Sequence, residues 1–430
     1  MNTWDGMNRT LFTRHVLHSL TGDGRLLFAT RCARMFAYGM LSVILVVYLA
    51  ELGFNDQWGT ILSAALLGDI VVSLWITTTA DRVGRKKMLI LGSLLMAGAG
   101  IVFATSASFL LILMAATIGV ISPSDKEVGP FLSIEQSALS QTIPSTLRTA
   151  IFAWYNLAGS VAAALGALAA GFAWQFCLWM GLTGADVYRP VVYAYAGIGV
   201  LLSMAFGWLS PAAEAQVSIT ARDTPGWLGL HRSRSIVMRL SALFALDAFG
   251  GGFILQSIVV AWFYAKFKAD PETLGTIFFF ANLLAAGSAL VAARMAERFG
   301  LVKTMVFTHL PSNVLLILVP VMPDLSSAVA VLLVRYSISQ MDVPTRQSYT
   351  MAVVQADERS AAAGITTVAR SVGAALSPYL AARCLAIPAL LGAPFFIAGG
   401  VKILYDLWLY RAFVTHKPAD SHSDGGKPVA

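Results

Sequence analysis

Charge is what this chain has least of. Only 12% of its 430 residues are Asp, Glu, Lys or Arg, while 57% are hydrophobic; a soluble domain carries roughly 25% charged residues. So few charges cannot cover the surface of a water-soluble globule of this size, and the solvent for most of the chain must be lipid. Cysteine is nearly absent as well. Cys32, Cys177 and Cys384 each sit inside an apolar run, and an odd, scattered set offers neither a disulfide framework nor a zinc spacing. There is no Walker P-loop, which argues against ATP drive within the chain, and no nucleophile elbow or His-rich zinc motif. No enzyme activity, cofactor or metal is therefore expected. The net charge of +7 does not read as nucleic-acid binding, because the basic residues lie between apolar runs and not on a soluble basic face. Residues 1–25 lack the short apolar core and cleavage site of a signal peptide, so the first hydrophobic run is expected to be retained.

What the chain does have is long apolar runs. A bilayer core of about 30 Å needs about 20 helical residues per crossing. Such runs lie near 27–50, 58–80, 88–107, 109–141, 149–173 and 187–209, and again near 239–265, 272–294, 302–322, 325–355, 360–383 and 388–412. The pattern predicts an all-α membrane protein with twelve transmembrane helices in two six-helix bundles. The runs at 109–141 and 325–355 are over-long and interrupted. With both termini inside, nineteen Lys and Arg residues fall in cytoplasmic segments, against only Arg189, Lys266, Lys268 and Arg383 outside, a strong positive-inside bias. The expected organisation is a cytoplasmic segment 1–26, a bundle 27–209, a linker 210–238, a second bundle 239–413 and a cytoplasmic tail 414–430.

The two sets of six repeat each other. DRVGRKK, Asp81 to Lys87, follows the second crossing, and ERFGLVK, Glu297 to Lys303, follows the eighth, at an offset of 216. Glu135-Gln136-Ser137 then Arg148-Thr149-Ala150 in the first half match Arg346-Gln347-Ser348 then Arg359-Ser360-Ala361 in the second, at an offset of 211. Matched pairs in the same order and the same loops mark an internal duplication.

With these motifs the sequence resembles the major facilitator superfamily over roughly residues 27–412. DRVGRKK is similar to the family's loop between helices 2 and 3, with Thr77 where that pattern opens on Gly. IPSTLRTA, Ile143 to Ala150, is similar to its basic turn between helices 4 and 5. The resemblance implies a two-bundle transporter working by alternating access, with helices 1, 4, 7 and 10 lining a central cavity. Asp81, Arg82, Gly84 and Arg85, with Glu297, Arg298, Arg148 and Arg359, then become candidates for a cytoplasmic gate whose charges pair in one state and separate in the other. The bland alternative is positive-inside anchoring.

Charges within the crossings are the candidate site, since each costs about 2.5–3.5 kcal/mol even on the lenient insertion scale. Arg31, Arg34 and Tyr38 share a face of the first crossing; Arg31 lies near enough to the cytoplasm to snorkel, whereas Arg34 and Tyr38 suit the cavity. Asp69 on the second is evenly a structural partner or a site residue. The fourth carries Asp125, Lys126, Glu127 and Glu135 around Pro123 and Pro130, and interrupted helices of this kind mark binding regions in transporters. Asp125 to Glu127 could equally be an external loop. On the tenth, Arg335, Ser339, Asp342, Arg346 and Tyr349 recur every three or four residues, so a helix continuous through a kink at Pro344 puts them on one wall. Asp247 on the seventh aligns with Arg34, as Arg346 does with Glu135. These positions carry opposite signs, so Arg34 and Glu135 are expected to face Asp247 and Arg346 of the other bundle. Arg370 on the eleventh is interior. Lys402 and Asp406, four apart on the twelfth, are expected to neutralise each other, and His309 beside Pro311 to be structural.

The leading expectation is proton-coupled efflux of a small organic solute, anionic or zwitterionic, bound by Arg34, Tyr38, Arg335, Asp342, Arg346 and Arg370. Glu127, Glu135 and Asp247 would carry the proton. Uptake symport uses the same parts, and a non-transporting receptor on the same fold is the alternative of another class. The expected partners are the solute, protons and the lipid bilayer. The expected form is a multi-pass monomer in the plasma (inner) membrane.

Overall fold

The computed structural model describes residues 20–123, 130–143, 147–214, 230–355 and 358–413. Glu127 lies outside the described residues, and so do the side chains of Asp81 and Arg148. The described chain is all helix and connecting turns. In order the helices are α1 (Gly22–Glu51), α2 (Trp58–Val83), α3 (Arg85–Thr105), α4 (Phe109–Ile118), α5 (Phe131–Thr142), α6 (Arg148–Trp179) and α7 (Arg189–Phe206). The second half supplies α8 (Arg234–Gly252), α9 (Gln256–Phe267), α10 (Pro271–Phe299), α11 (Leu301–Leu318), α12 (Leu325–Tyr336), α13 (Asp342–Val353), α14 (Arg359–Leu385) and α15 (Ala393–Phe413).

Nine helical stretches among the described residues are long and apolar enough to span a bilayer, with α8 and α9 forming one of them. The fourth and tenth crossings are not among the nine, because each is built from two short helices. α4 stops at Ile118 and α5 begins after Pro130. The carbonyl freed at Val120 accepts the Tyr195 hydroxyl at 2.8 Å, which is how an irregular backbone is tolerated at membrane depth. α12 stops at Tyr336 and α13 starts at Asp342. Pro344 therefore sits in the first turn of α13, where its missing N–H is no loss; the break precedes it and is not a kink at it. The eleventh crossing, α14, has the length at 27 residues but carries Arg370 in its middle.

The chain divides into two compact units. One comprises residues up to Asn55 with Gly68–Ser218 and Asp270–Phe279; the other comprises Asp56–Leu67, Ile219–Ala269 and the chain from Phe280 onward. The start of α2 thus groups with the second unit and the start of α10 with the first. In the first unit α1 packs along α6 and α7 and is buried without a break from Ala37 to Leu49. Its start is fixed by the Thr21 hydroxyl, which accepts the Gly24 N–H at 3.1 Å, a standard N-cap.

The duplication read from the loops recurs in the packing. A Cβ on Gly39 of α1 would lie 2.0 Å from the Ala163 carbonyl oxygen, and one on Gly252 of α8 would lie 2.4 Å from that of Ala374. The offsets are 213 and 211 residues, so the same helix crossing is used in both halves. The loop motif also repeats as geometry. Gly84 begins α3 at φ 115° and Gly300 begins α11 at φ 86°, a left-handed region that L side chains rarely enter. That accounts for Gly in both DRVG and ERFG. The outward surface is apolar: Trp179 is 81% exposed and Trp208 77%, both at helix ends, where Trp sits at a membrane interface.

Candidate functional site: two buried charge clusters

Each unit buries an ion cluster at the same pseudo-equivalent helices. In the first unit, Arg34 of α1 donates from Nη1 to Glu135 Oε1 and from Nη2 to Oε2, both at 2.7 Å, and both side chains are 0% exposed. Such a forked pair is the strongest geometry available to a guanidinium. The Tyr155 hydroxyl of α6 donates to Glu135 as well, and the Arg34 guanidinium lies 4.4 Å over the Phe131 ring. Arg31 does not snorkel. It is buried, donates to Asn156 Oδ1 at 3.1 Å and stacks over Tyr155 at 4.3 Å. It fits because position 159 is glycine: a Cβ there would meet Arg31 Nε at 2.6 Å. Tyr38 is buried and stacked on Tyr195.

In the second unit the signs invert. Asp247 of α8 occupies the position of Arg34 (offset 213), and Arg346 of α13 that of Glu135 (offset 211). Asp247 Oδ2 accepts from Arg346 Nη1 at 3.3 Å and from Arg370 Nη1 at 3.5 Å, while its Oδ1 accepts from Lys402 Nζ at 2.6 Å. Arg346 Nη1 also donates to Asp342 Oδ2 at 2.8 Å. Behind this, His309 Nδ1 of α11 pairs with Asp406 Oδ1 at 2.8 Å, and Asn313 donates to Asp406 Oδ2 at 3.0 Å. His309 Nε2 lies 3.8 Å from Asp247 Oδ1. The opposite-sign partners are therefore found inside each unit, Arg34 with Glu135 and Asp247 with Arg346.

Several expectations change at this point. Lys402 and Asp406 do not neutralise each other: four apart on α15, they reach Asp247 and His309 respectively. His309, expected to be structural, is placed between two acids, Asp406 and Asp247. The wall expected along the tenth crossing is divided by the break at residues 337–341. Asp342, Arg346 and Tyr349 remain on α13 and are buried, while Arg335 ends α12 and stacks on its neighbour Tyr336 at 5.2 Å. Asp69 accepts the Ser73 hydroxyl at 3.1 Å, one turn along its own helix. Tyr155 and Asn313 were not singled out from the sequence, and His309, Lys402 and Asp406 were named there but not as members of this site. The available signal was that each is polar within an apolar run.

The residues proposed for the cytoplasmic gate fall into distinct settings. Arg82, Glu297 and Arg298 are exposed. Arg85 is buried, and its backbone N–H donates to Glu214 Oε2 at 2.6 Å, while the Lys86 N–H reaches Glu214 Oε1 at 3.3 Å. Glu214 thus caps the start of α3 with a carboxylate, the sign that a helix N-terminus favours. Arg359 donates from Nε to the Met351 carbonyl at 2.9 Å. Next to it, Glu358 accepts backbone N–H groups of His231, Arg232 and Ser233 ahead of α8. Removal from water pushes the Glu358 carboxyl up, but these donors and the Ser233 side chain outweigh it and hold it down at about 2.

Comparison with known proteins agrees with this architecture. An uncharacterized membrane protein of Saccharomyces cerevisiae is 28% identical over 422 residues, 91% of this chain and 94% of that protein. Among solved structures, the nucleoside transporter NupG superposes with a TM-score of 0.68 at 13% identity, covering 92% of this chain and all of its own. A D-xylose–proton symporter gives 0.67 at 14% identity, over 90% and 97% of the two chains. The human organic anion transporter MFSD10 gives 0.62 at 18%, over 91% and 100%. At these identities the structures establish a shared fold and nothing about solute. The sequence pattern of the Major Facilitator Superfamily matches residues 27–378 and 240–429, and with the duplicated bundles and the Asp-Arg-x-Gly loop this chain belongs to that superfamily of multi-pass membrane transporters.

Proposed function

We propose that the protein is a secondary active transporter that moves an anionic or zwitterionic organic solute in the direction of efflux, driven by the proton gradient. The observation that carries this reading is the cluster around Asp247. Arg346 and Arg370 converge on one carboxylate, and Arg370 is 33% exposed. A solute carboxylate or phosphate can compete with Asp247 for these forked donors, and the carboxylate it displaces then needs a proton or another cation. Glu135, held by Arg34 and Tyr155, is the corresponding exchange point in the first unit. Glu127, Tyr38 and Arg335 remain candidates for the same pathway. The loop residues Asp81, Arg82, Gly84 and Arg85, with Arg148, Glu297, Arg298 and Arg359, are proposed to act as a gate on the cytoplasmic side. The working unit in this reading is a monomer in the plasma membrane with both termini cytoplasmic.

Reconstituted vesicles test the reading. A panel of labelled organic acids, amino acids and amines is screened for flux with and without a pH gradient. Gradient-dependent flux of an acid or zwitterion, reduced in Asp81→Asn at normal expression, is the expected outcome. Flux confined to cations, or indifferent to the gradient, refutes it.

A further inference from the structure

The Asp247 cluster contains three carboxylates, Asp247, Asp342 and Asp406, and three cationic side chains, Arg346, Arg370 and Lys402. These six charges cancel. A further ionisable member is His309, which pairs with Asp406; the described hydrogen bonds of that carboxylate come from His309 and Asn313 and from no Arg or Lys, so a proton on the ring gives it a cationic partner. We propose that His309 is the proton-binding residue of this cluster, its imidazolium held between Asp406 on one side and Asp247 on the other. This deepens the transport reading above and rests on it for the meaning of the proton, though not for its place.

The geometry supports both states of the ring. Nδ1 is 2.8 Å from Asp406 Oδ1 and Nε2 is 3.8 Å from Asp247 Oδ1, so a carboxylate stands at each nitrogen. Asn313 fixes the other Asp406 oxygen at 3.0 Å and lies 3.2 Å from Nδ1, which orients the acid toward the ring. The Tyr405 ring meets the imidazole edge-on at 6.0 Å. Every charged group around His309 belongs to the cluster: Asp406 and Lys402 from α15, Asp247 from α8, Asp342 and Arg346 from α13, and Arg370 from α14 through Asp247. An imidazole is the one side chain whose ordinary titration falls between pH 5 and 8, whereas Asp247 and Asp342 already have Arg or Lys partners. A protonated His309 is a second cation at Asp247 Oδ1, beside Lys402. It weakens that carboxylate's hold on Arg370, the most exposed of its partners. Proton binding at α11 would thereby be felt at the partly exposed Arg370 guanidinium on α14.

Titration of the purified full chain in detergent, with no solute present, tests the site. Protons bound between pH 8.5 and 5 are counted potentiometrically for wild type, His309→Asn, His309→Gln and Asp406→Asn. Asn places its amide nitrogen near the position of Nδ1 and keeps a donor for Asp406; Gln is the second variant should Asn fail to fold, and gel filtration identifies the folded ones. The expected result is about one proton fewer per chain in the His309 variant, with most of that step also missing in Asp406→Asn. An unchanged proton count in a folded His309 variant overturns the proposal, and so does a full step in Asp406→Asn. Because no solute enters this measurement, it stands or falls separately from the transport reading. Once a solute is known, the flux of His309→Asn should lose its dependence on pH between 5 and 8. Persistence of that dependence also overturns the proposal.

Discussion

The Arg34–Glu135 pair offers a sharp test of what the first cluster contributes, because both side chains are wholly buried and two short hydrogen bonds join them. Glu135→Gln keeps the shape but replaces an acceptor oxygen by an NH₂, which then faces a guanidinium nitrogen that had donated at 2.7 Å. Donor meets donor, and Arg34 loses the opposite charge of its forked partner. Breaking one partner of a buried pair costs about 3–5 kcal/mol. Arg34→Met should cost a similar amount, since Glu135 is left with Tyr155 alone. Replacing both, as Arg34→Met with Glu135→Leu, removes both charges and their desolvation, and such exchanges are often neutral. The double variant should therefore lie within about 1–2 kcal/mol of wild type, giving a coupling of about 3 kcal/mol or more in the cycle. Equilibrium unfolding by SDS in mixed micelles, followed by tryptophan fluorescence, measures all four proteins. Additive losses, with the double variant as unstable as the sum of the singles, would refute the reasoning that the two charges exist for each other.

Arg346 uses one nitrogen for both Asp342 and Asp247, a sharing that depends on the guanidinium. Arg346→Lys should thus keep the fold and weaken binding of an anionic solute about tenfold, the worth of one charge-assisted hydrogen bond; thermal stability and binding measured on the same preparation separate these effects. Gly39→Ala should destabilise by about 1–3 kcal/mol because the new methyl meets a backbone carbonyl that cannot swing away, whereas Gly98→Ala, with open space around it, should be near neutral in the same unfolding assay. The Glu358 carboxyl, held at about 2 in the folded chain, has an unfolded value near ~4.3. A depressed value stabilises the fold above that unfolded pKa, and the stabilisation is lost as pH falls from about 4.3 toward 2. The thermal midpoint of wild type should drop more steeply across that window than that of Glu358→Gln, and parallel curves would remove Glu358 as a source of acid sensitivity.

The membrane solvent, the all-helical class, the crossings and the duplication were legible in the sequence. Each rests on properties that act locally or repeat along the chain: apolar length, loop charge, and Gly where the backbone needs positive φ. The positions of Arg34, Glu135, Asp247 and Arg346 as charged residues within crossings were legible for the same reason, and the repeat offsets even gave their pseudo-equivalence. Which charges meet was another matter. Lys402 and Asp406 share one helix face by spacing, yet the face is broad enough for the long lysine to reach Asp247 on α8 while the shorter aspartate meets His309 on α11. The direction of a side chain is settled by what the neighbouring helices present to it, not by its own periodicity. Arg31 turned inward for a like reason: Gly159, on a helix far along the chain, left room for a guanidinium above Tyr155. The break in the tenth crossing preceded its proline because Pro is harmless in a helix's first turn, so the residue that looked like a kink marks a beginning. Spacing fixed which residues had to leave lipid, and only the packing of α8, α11, α13, α14 and α15 decided that five separate apolar runs would contribute their polar residues to one site.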